Sequence, residues 1–207
     1  MAEQRRGAPA TGEVVLAFPT RTNPVRHVRS TLLMATMASL KSEGHFEAYS
    51  KAIAPAHRDA LLNAVAGTWI PLDPAMAHYL ACDALDLSAD VEAKLGGATF
   101  ERVRGTLLGT MLQMTKGVGV TPWTLLAQLQ RFWDRAYDGA GIQILRLGPK
   151  DAHVDIVQCP FADTHYHRNA LRGLSRAVLR LFCREAYVQE RKAHRAPGTC
   201  AFRAQWV

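Results

Sequence analysis

The 207-residue sequence lacks several signatures that would assign a class at once. No apolar run approaches the roughly 18 residues that read as a membrane-spanning helix. The first ten residues have no apolar core of a secretory leader, so export is not expected and the cytoplasm is the expected location. The four cysteines, at 82, 159, 183 and 200, form no CxxC pair, and reduced thiols are expected rather than a disulfide framework. There is no GxSxG elbow, no HExxH and no P-loop, and the chain is not expected to be an enzyme. Asp83 and Asp86, three apart at a helix end, read as solvent-facing rather than as a carboxylate pair. Gly117-Val-Gly119-Val-Thr-Pro122 approaches GxGxxG, but it follows a helix and has proline at the third glycine position, so no phosphate loop is read there.

What the chain does have is a hydrophobic content of 48%, enough to argue against disorder and for one sizeable core. Its net charge of +7 is uneven: +3 over residues 1–30, −2 over 31–141 and +6 over 142–207. A basic region of this kind attracts anionic partners through its field, and it also keeps a protein in solution. No recognition-helix motif or aromatic platform accompanies the charge, so nucleic acid is not expected.

Residues 1–12 are small, charged and proline-bearing and read as a flexible tail, followed by one domain over 13–207 with a helical part (13–140) and a sheet-and-helix part (141–207). Glu13–Phe18 reads as a short strand. About seven helices follow: Val25–Ser42 with Val28, Leu32, Leu33, Thr36, Met37 and Leu40 on one face, His45–Ala52, Pro55–Ala66, Asp73–Leu85, a helix after Ser88 broken at Gly96-Gly97, Thr99–Lys116, and Thr121–Gly139. Trp69-Ile70-Pro71-Leu72 reads as a buried crossing between two of them. Ile142–Leu147 and Ala152–Gln158 read as strands, and residues 165–207 as one long helix followed by two strands with alternating burial. The expected class is α+β: a helical N-terminal half packed on a small, mainly antiparallel sheet, with strand-strand-helix-strand-strand order at the C-terminus.

The stretch Ala170–Phe182, followed by a strand and then Gly198-Thr-Cys-Ala-Phe202, resembles the C-terminal part of the four-vinyl-reductase-like small-molecule-binding domains. It also resembles their relatives, the haem nitric-oxide-binding sensors and the TRAPP vesicle-tethering subunits, and in length and order the chain looks like a myxobacterial paralogous family. The resemblance implies a helical half closing over a small mixed sheet, with an interior pocket in some relatives. It implies no single chemistry. The haem sensors carry a ligating histidine on a helix before the sheet and a Tyr-x-Ser-x-Arg clamp. Residues 101–140 here contain no histidine, the first strands of the sheet contain no such clamp, and Tyr187–Arg191 echoes it only loosely and after the long helix. No haem and no other cofactor is therefore expected.

Two features read as candidate binding sites. Trp69, Met111, Met114, Trp123, Phe132 and Trp133 would either wall a cavity for a small apolar ligand or fill the core. Arg168, Arg172, Arg176, Arg180 and Arg184, four residues apart, drift by about 40° per step and form a broad helix face, suited to an acidic protein partner or to solvent. Cys159, His165 and His167 are metal-ligating residue types, but lack the close paired spacing of a structural zinc site. The sequence thus points to a non-enzymatic regulatory domain that senses a small apolar ligand or docks signalling partners. A scaffolding module with a filled core and a zinc-binding regulatory domain are the alternatives, and a homodimer is compatible with each.

Overall fold

The computed structural model describes residues 12–114, 121–191 and 196–207, with backbone alone over 106–114. Two sheets organise it. The larger is built from β1 (Glu13–Leu16), β5 (Gly141–Gly148), β6 (Asp151–Val157), β7 (Ala186–Glu190) and β8 (Cys200–Trp206), in the order β1-β5-β6-β8-β7, every pair antiparallel. Strict alternation in β8 puts Cys200, Phe202, Ala204 and Trp206 inward, while Ala201, Arg203 and Gln205 point the other way. The smaller sheet joins β2 (His27–Arg29), β3 (Trp69–Pro71) and β4 (Tyr137–Asp138) in the order β3-β2-β4.

That second sheet departs from the sequence reading, which ran a helix from Val25. Pro24 and the β-branched Val28 favour an extended entry, and Val28 is fully buried opposite Ile70 and Tyr137. The helix proper, α1, begins at Ser30 and ends at Ser42. Ile70 is buried as expected for a crossing, but Trp69 is 37% exposed with the Arg29 guanidinium 3.7 Å from its ring centroid.

Four further helices follow: α2 (Phe46–Ala52), α3 (Pro55–Leu62), α4 (Leu72–Asp83) and α5 (Ala89–Met114). The expected break in α5 at Gly96-Gly97 is absent. Gly96 instead lies against the backbone of α8 (His165–Leu179): a Cβ there would strike the carbonyl oxygen of Ala170, and one on Gly173 would strike that of Ala93. Glycine on each helix lets the two axes approach closely, and packing outweighs the poor helix propensity. The expected helix over 121–139 is two helices, α6 (Pro122–Leu126) and α7 (Leu129–Ala136). Thr121 caps α6 and its Oγ1 accepts from the Thr124 amide. The single helix after His165 stops at Leu179, so Arg184 lies in the following turn, its amide donating to the Val207 carbonyl.

The core lies between helices and large sheet, and includes Leu33, Leu40, Tyr49, Leu95, Ile142, Ile144, Phe161 and Tyr166, each at most 1% exposed. Among the described residues, no helix is long and apolar enough to cross a membrane.

Candidate functional site

Where helices meet sheet, the interior is occupied by rings. Tyr79 of α4 packs on Phe161 of the 3-10 turn Pro160–Asp163 at a centroid separation of 4.7 Å and edge-on to His167 at 5.0 Å. Trp133 of α7 stacks on Tyr137 at 4.2 Å, and Tyr137 Oη lies 3.1 Å from Tyr79 Oη and 3.4 Å from His167 Nε2. His78, edge-on to the Tyr79 ring at 5.1 Å, has its Nδ1 2.7 Å from Tyr49 Oη. Burial holds both His78 and His167 down at about 3, so each ring is neutral near pH 7; Arg168 adds to the effect at His167. The tyrosines are pushed above their ordinary range by the same desolvation. The space between Leu32, Tyr79, Tyr137, Tyr166 and His167 is about 30 Å³. A single water fills that volume, whereas a small-molecule pocket needs about 300 Å³ or more.

The candidate apolar wall is distributed over separate partners. Trp123 sits edge-on to Trp206 of β8 at 4.8 Å, donates Nε1–H to the Pro149 carbonyl at 2.8 Å and carries Arg146 over its ring. Trp69 belongs to the small sheet. Trp133 is buried beside Tyr137 and donates to the Gly139 carbonyl, and Phe132 is half-buried against the core. The side chains of Met111 and Met114 lie outside the described residues.

The arginines of α8 divide in two. Arg168 is buried, 8% exposed, with Nη1 donating to the Ala162 carbonyl at 2.7 Å and Nε 3.1 Å from Glu190, so it fastens the helix to the 3-10 turn and to β7. Arg172, Arg176 and Arg180 line an open groove of about 750 Å³ between α5, α8 and β7, together with Lys94, Asp90 and Tyr187. Arg172 donates Nη2–H to the Ala89 carbonyl at 2.8 Å, and the charged partners of these arginines are surface ones. Arg172 Nη2 is 3.3 Å from the fully exposed carboxylate of Asp90, Arg180 Nη2 is 3.3 Å from Glu185, and Arg176 donates Nε–H to the Ala186 carbonyl at 3.1 Å. The two exposed ion pairs, of Arg172 and Arg180, are worth at most about 1 kcal/mol each, so another carboxylate can replace them at little cost.

The thiols sit in apolar surroundings: Cys82, Cys159 and Cys200 are buried, and burial pushes the Cys159 thiol up to about 12. Cys159, His165 and His167 do not form a donor set. Among the described residues the only ligand-type cluster joins His165 to Asp83 and Glu92. Asp83, expected in solvent, is half-buried and accepts from the amides of His165 at 3.3 Å and Tyr166 at 2.7 Å, capping α8 from a different helix. No local pattern reveals that cluster, because its members come from three helices.

No protein-family model matches the chain and no curated protein matches it in sequence. Solved structures do match. The Fe(II) unliganded H-NOX protein from K. algicida is similar at a TM-score of 0.64 and 12% identity, covering 86% of this chain and 96% of that one. An oxygen-binding H-NOX domain related to soluble guanylate cyclases is similar at 0.55 and 10%, covering 86% and 94%. A Cs H-NOX mutant is similar at 0.52 and 11%, covering 86% and 96%.

H-NOX domains are the haem sensors named above, so the haem must be tested against this interior. The described residues do not fit it. His78 is bonded to Tyr49, His167 is wedged among three aromatic rings, and the space beside His167 is the size of one water. What the chain shares with these structures is the α+β H-NOX fold, helices packed on an antiparallel sheet.

Proposed function

We propose that this chain is a non-enzymatic regulatory module whose binding surface is the basic groove between α5, α8 and β7, and that the groove takes an acidic, extended segment of a partner protein. The observation that carries the reading is the alignment of Arg172, Arg176 and Arg180 along an open groove of about 750 Å³ beside an edge strand. Successive arginines are one helical turn apart, about 6 Å, and same-face side chains of an extended chain repeat at about 6.6 Å. Alternate Asp or Glu residues therefore meet successive guanidiniums, each able to accept two parallel N–H bonds.

Strand β7 supports the same occupant. Glu185 exchanges backbone bonds with Val207, and the Arg191 amide donates to the Ala201 carbonyl. That phase turns the amide and carbonyl of Val188 towards the open edge, where an added strand would pair with them. Tyr187, 53% exposed, offers a ring beside that edge. A fluorescein-labelled peptide with alternating glutamate and valine tests the proposal by anisotropy. Binding should weaken with added salt and fall at least tenfold in the double variant Arg172→Glu, Arg180→Glu, while Arg26→Glu, an exposed arginine of another surface, leaves it unchanged. Equal affinity of all three proteins would rule the groove out.

The expected small-ligand role keeps one specific support, a second cavity of about 280 Å³ walled by Leu32, Val103 and Ala136 and edged by Arg29. Its apolar wall and cationic rim suit a small amphipathic acid. Native mass spectrometry of freshly purified protein checks this: an added mass that disappears on denaturation supports a resident ligand, and the bare chain mass argues against one.

A further inference from the structure

Asp83, Glu92 and His165 are brought together from the end of α4, the first turn of α5 and the first residue of α8, with one donor atom of each within 4.8 Å of the others. Glu92 is the decisive member. It is completely buried, yet among the described residues no lysine or arginine is paired with it. Asn169 Nδ2 donates to Oε2 at 2.7 Å and so fixes the carboxylate plane. The other oxygen, Oε1, makes no hydrogen bond although His165 Nδ1 is only 2.9 Å away, because the ring nitrogen and the oxygen are not aligned for one. The opposite ring nitrogen is 3.6 Å from Asp83 Oδ1. A fully buried carboxylate oxygen without a proton donor is costly, unless a cation stands beside it.

Two donors near 3 Å apart with no hydrogen bond between them is the separation expected of neighbouring ligands around an ion whose bonds are about 2.0–2.1 Å long. We infer that Asp83, Glu92 and His165 form a binding site for a divalent transition-metal ion of the zinc type. Two carboxylates and one imidazole match the borderline character of zinc, and their two negative charges balance its two positive ones. The second shell is in place: Asn169 orients Glu92, and the amides of His165 and Tyr166 orient Asp83. The His165 side chain is 41% and the Asp83 side chain 22% exposed, which leaves an entry path and room for water in the remaining coordination positions. The ion would tie α4, α5 and α8 together at one point, next to the glycine crossing.

The test is isothermal titration of EDTA-stripped, dialysed protein with zinc chloride and, separately, manganese chloride. One ion per chain is expected, zinc binding more tightly than manganese as the general order of divalent affinities requires. His165→Ala and Glu92→Gln should each weaken zinc at least tenfold, with far-ultraviolet circular dichroism unchanged in EDTA. Should Glu92→Gln fail to fold, His165→Ala decides alone, since that ring is partly exposed. No stoichiometric uptake by the parent protein, or uptake that His165→Ala leaves intact, would overturn the assignment and reduce the cluster to an ion pair between His165 and Glu92.

Discussion

Gly96 of α5 faces Ala170 of α8 across a contact with no room for a single methyl group, and the reverse contact, Gly173 against Ala93, lies one turn further along. The longest described helix is thereby locked to the helix that carries the arginines. Gly→Ala in an ordinary helix interior stabilises by about 1 kcal/mol. Here the sign reverses: Gly96→Ala and Gly173→Ala should each destabilise by about 1–3 kcal/mol, read by chemical denaturation, because the helices must separate. Gly105→Ala, whose added methyl meets nothing within 4 Å, is the internal control and should not destabilise.

Stability should fall as the solution is acidified from neutrality. His78 and His167 are held near 3 in the folded protein, against about 6.5 when unfolded. Above about pH 6.5 neither state binds these protons and the full stability is present. Below it the unfolded chain takes up protons that the folded chain refuses, at a cost on the order of 2 kcal/mol for each histidine by pH 5. Urea midpoints measured between pH 7.5 and 5 check this, and a double variant His78→Gln, His167→Gln should flatten the slope.

The α8 arginines should separate by phenotype. Arg168→Ala removes a buried arginine's bond to the Ala162 carbonyl and its ion pair with Glu190, and should cost about 3 kcal/mol. Arg176→Glu and Arg180→Glu, on exposed positions, should shift stability by about 1 kcal/mol or less and instead weaken binding of the acidic peptide. Thermal melts and anisotropy on the same three variants make the comparison.

Haem titration of the purified protein should give no Soret band shifted from that of free haem, and Tyr79→Ala, which opens space next to His167, should not by itself create a site with defined stoichiometry. A stoichiometric complex with the parent chain would show that the interior opens further than its ring packing suggests.

Much of this was legible in the residues, and what was not has identifiable causes. The period-two alternation of Cys200–Trp206 and the stripe of Leu171, Leu174 and Val178 specify strand and helix because burial on one face dictates them. Gly96-Gly97 misleads, since a helix-breaking residue and a helix-crossing residue look alike until Ala170, 74 residues away, is placed opposite Gly96. The strand at His27–Arg29 escapes a helical pattern because three residues are too few to show a period. Arg168 belongs to the same four-residue series as Arg172, and only its position one residue beyond His167, at the buried start of α8, takes it inside. The cluster of Asp83, Glu92 and His165 has no local spacing at all.

The pairing of β1 with β5 joins Glu13 to Arg146, and the α5–α8 crossing joins the middle of the chain to its last quarter. Contacts of such long sequence separation have to close large loops before they contribute anything, which places this chain among slow folders. During synthesis the helical part would leave the ribosome with its Gly96 groove bare and its first strand unpaired. The interval before α8 arrives is therefore when the chain most needs shielding from its neighbours.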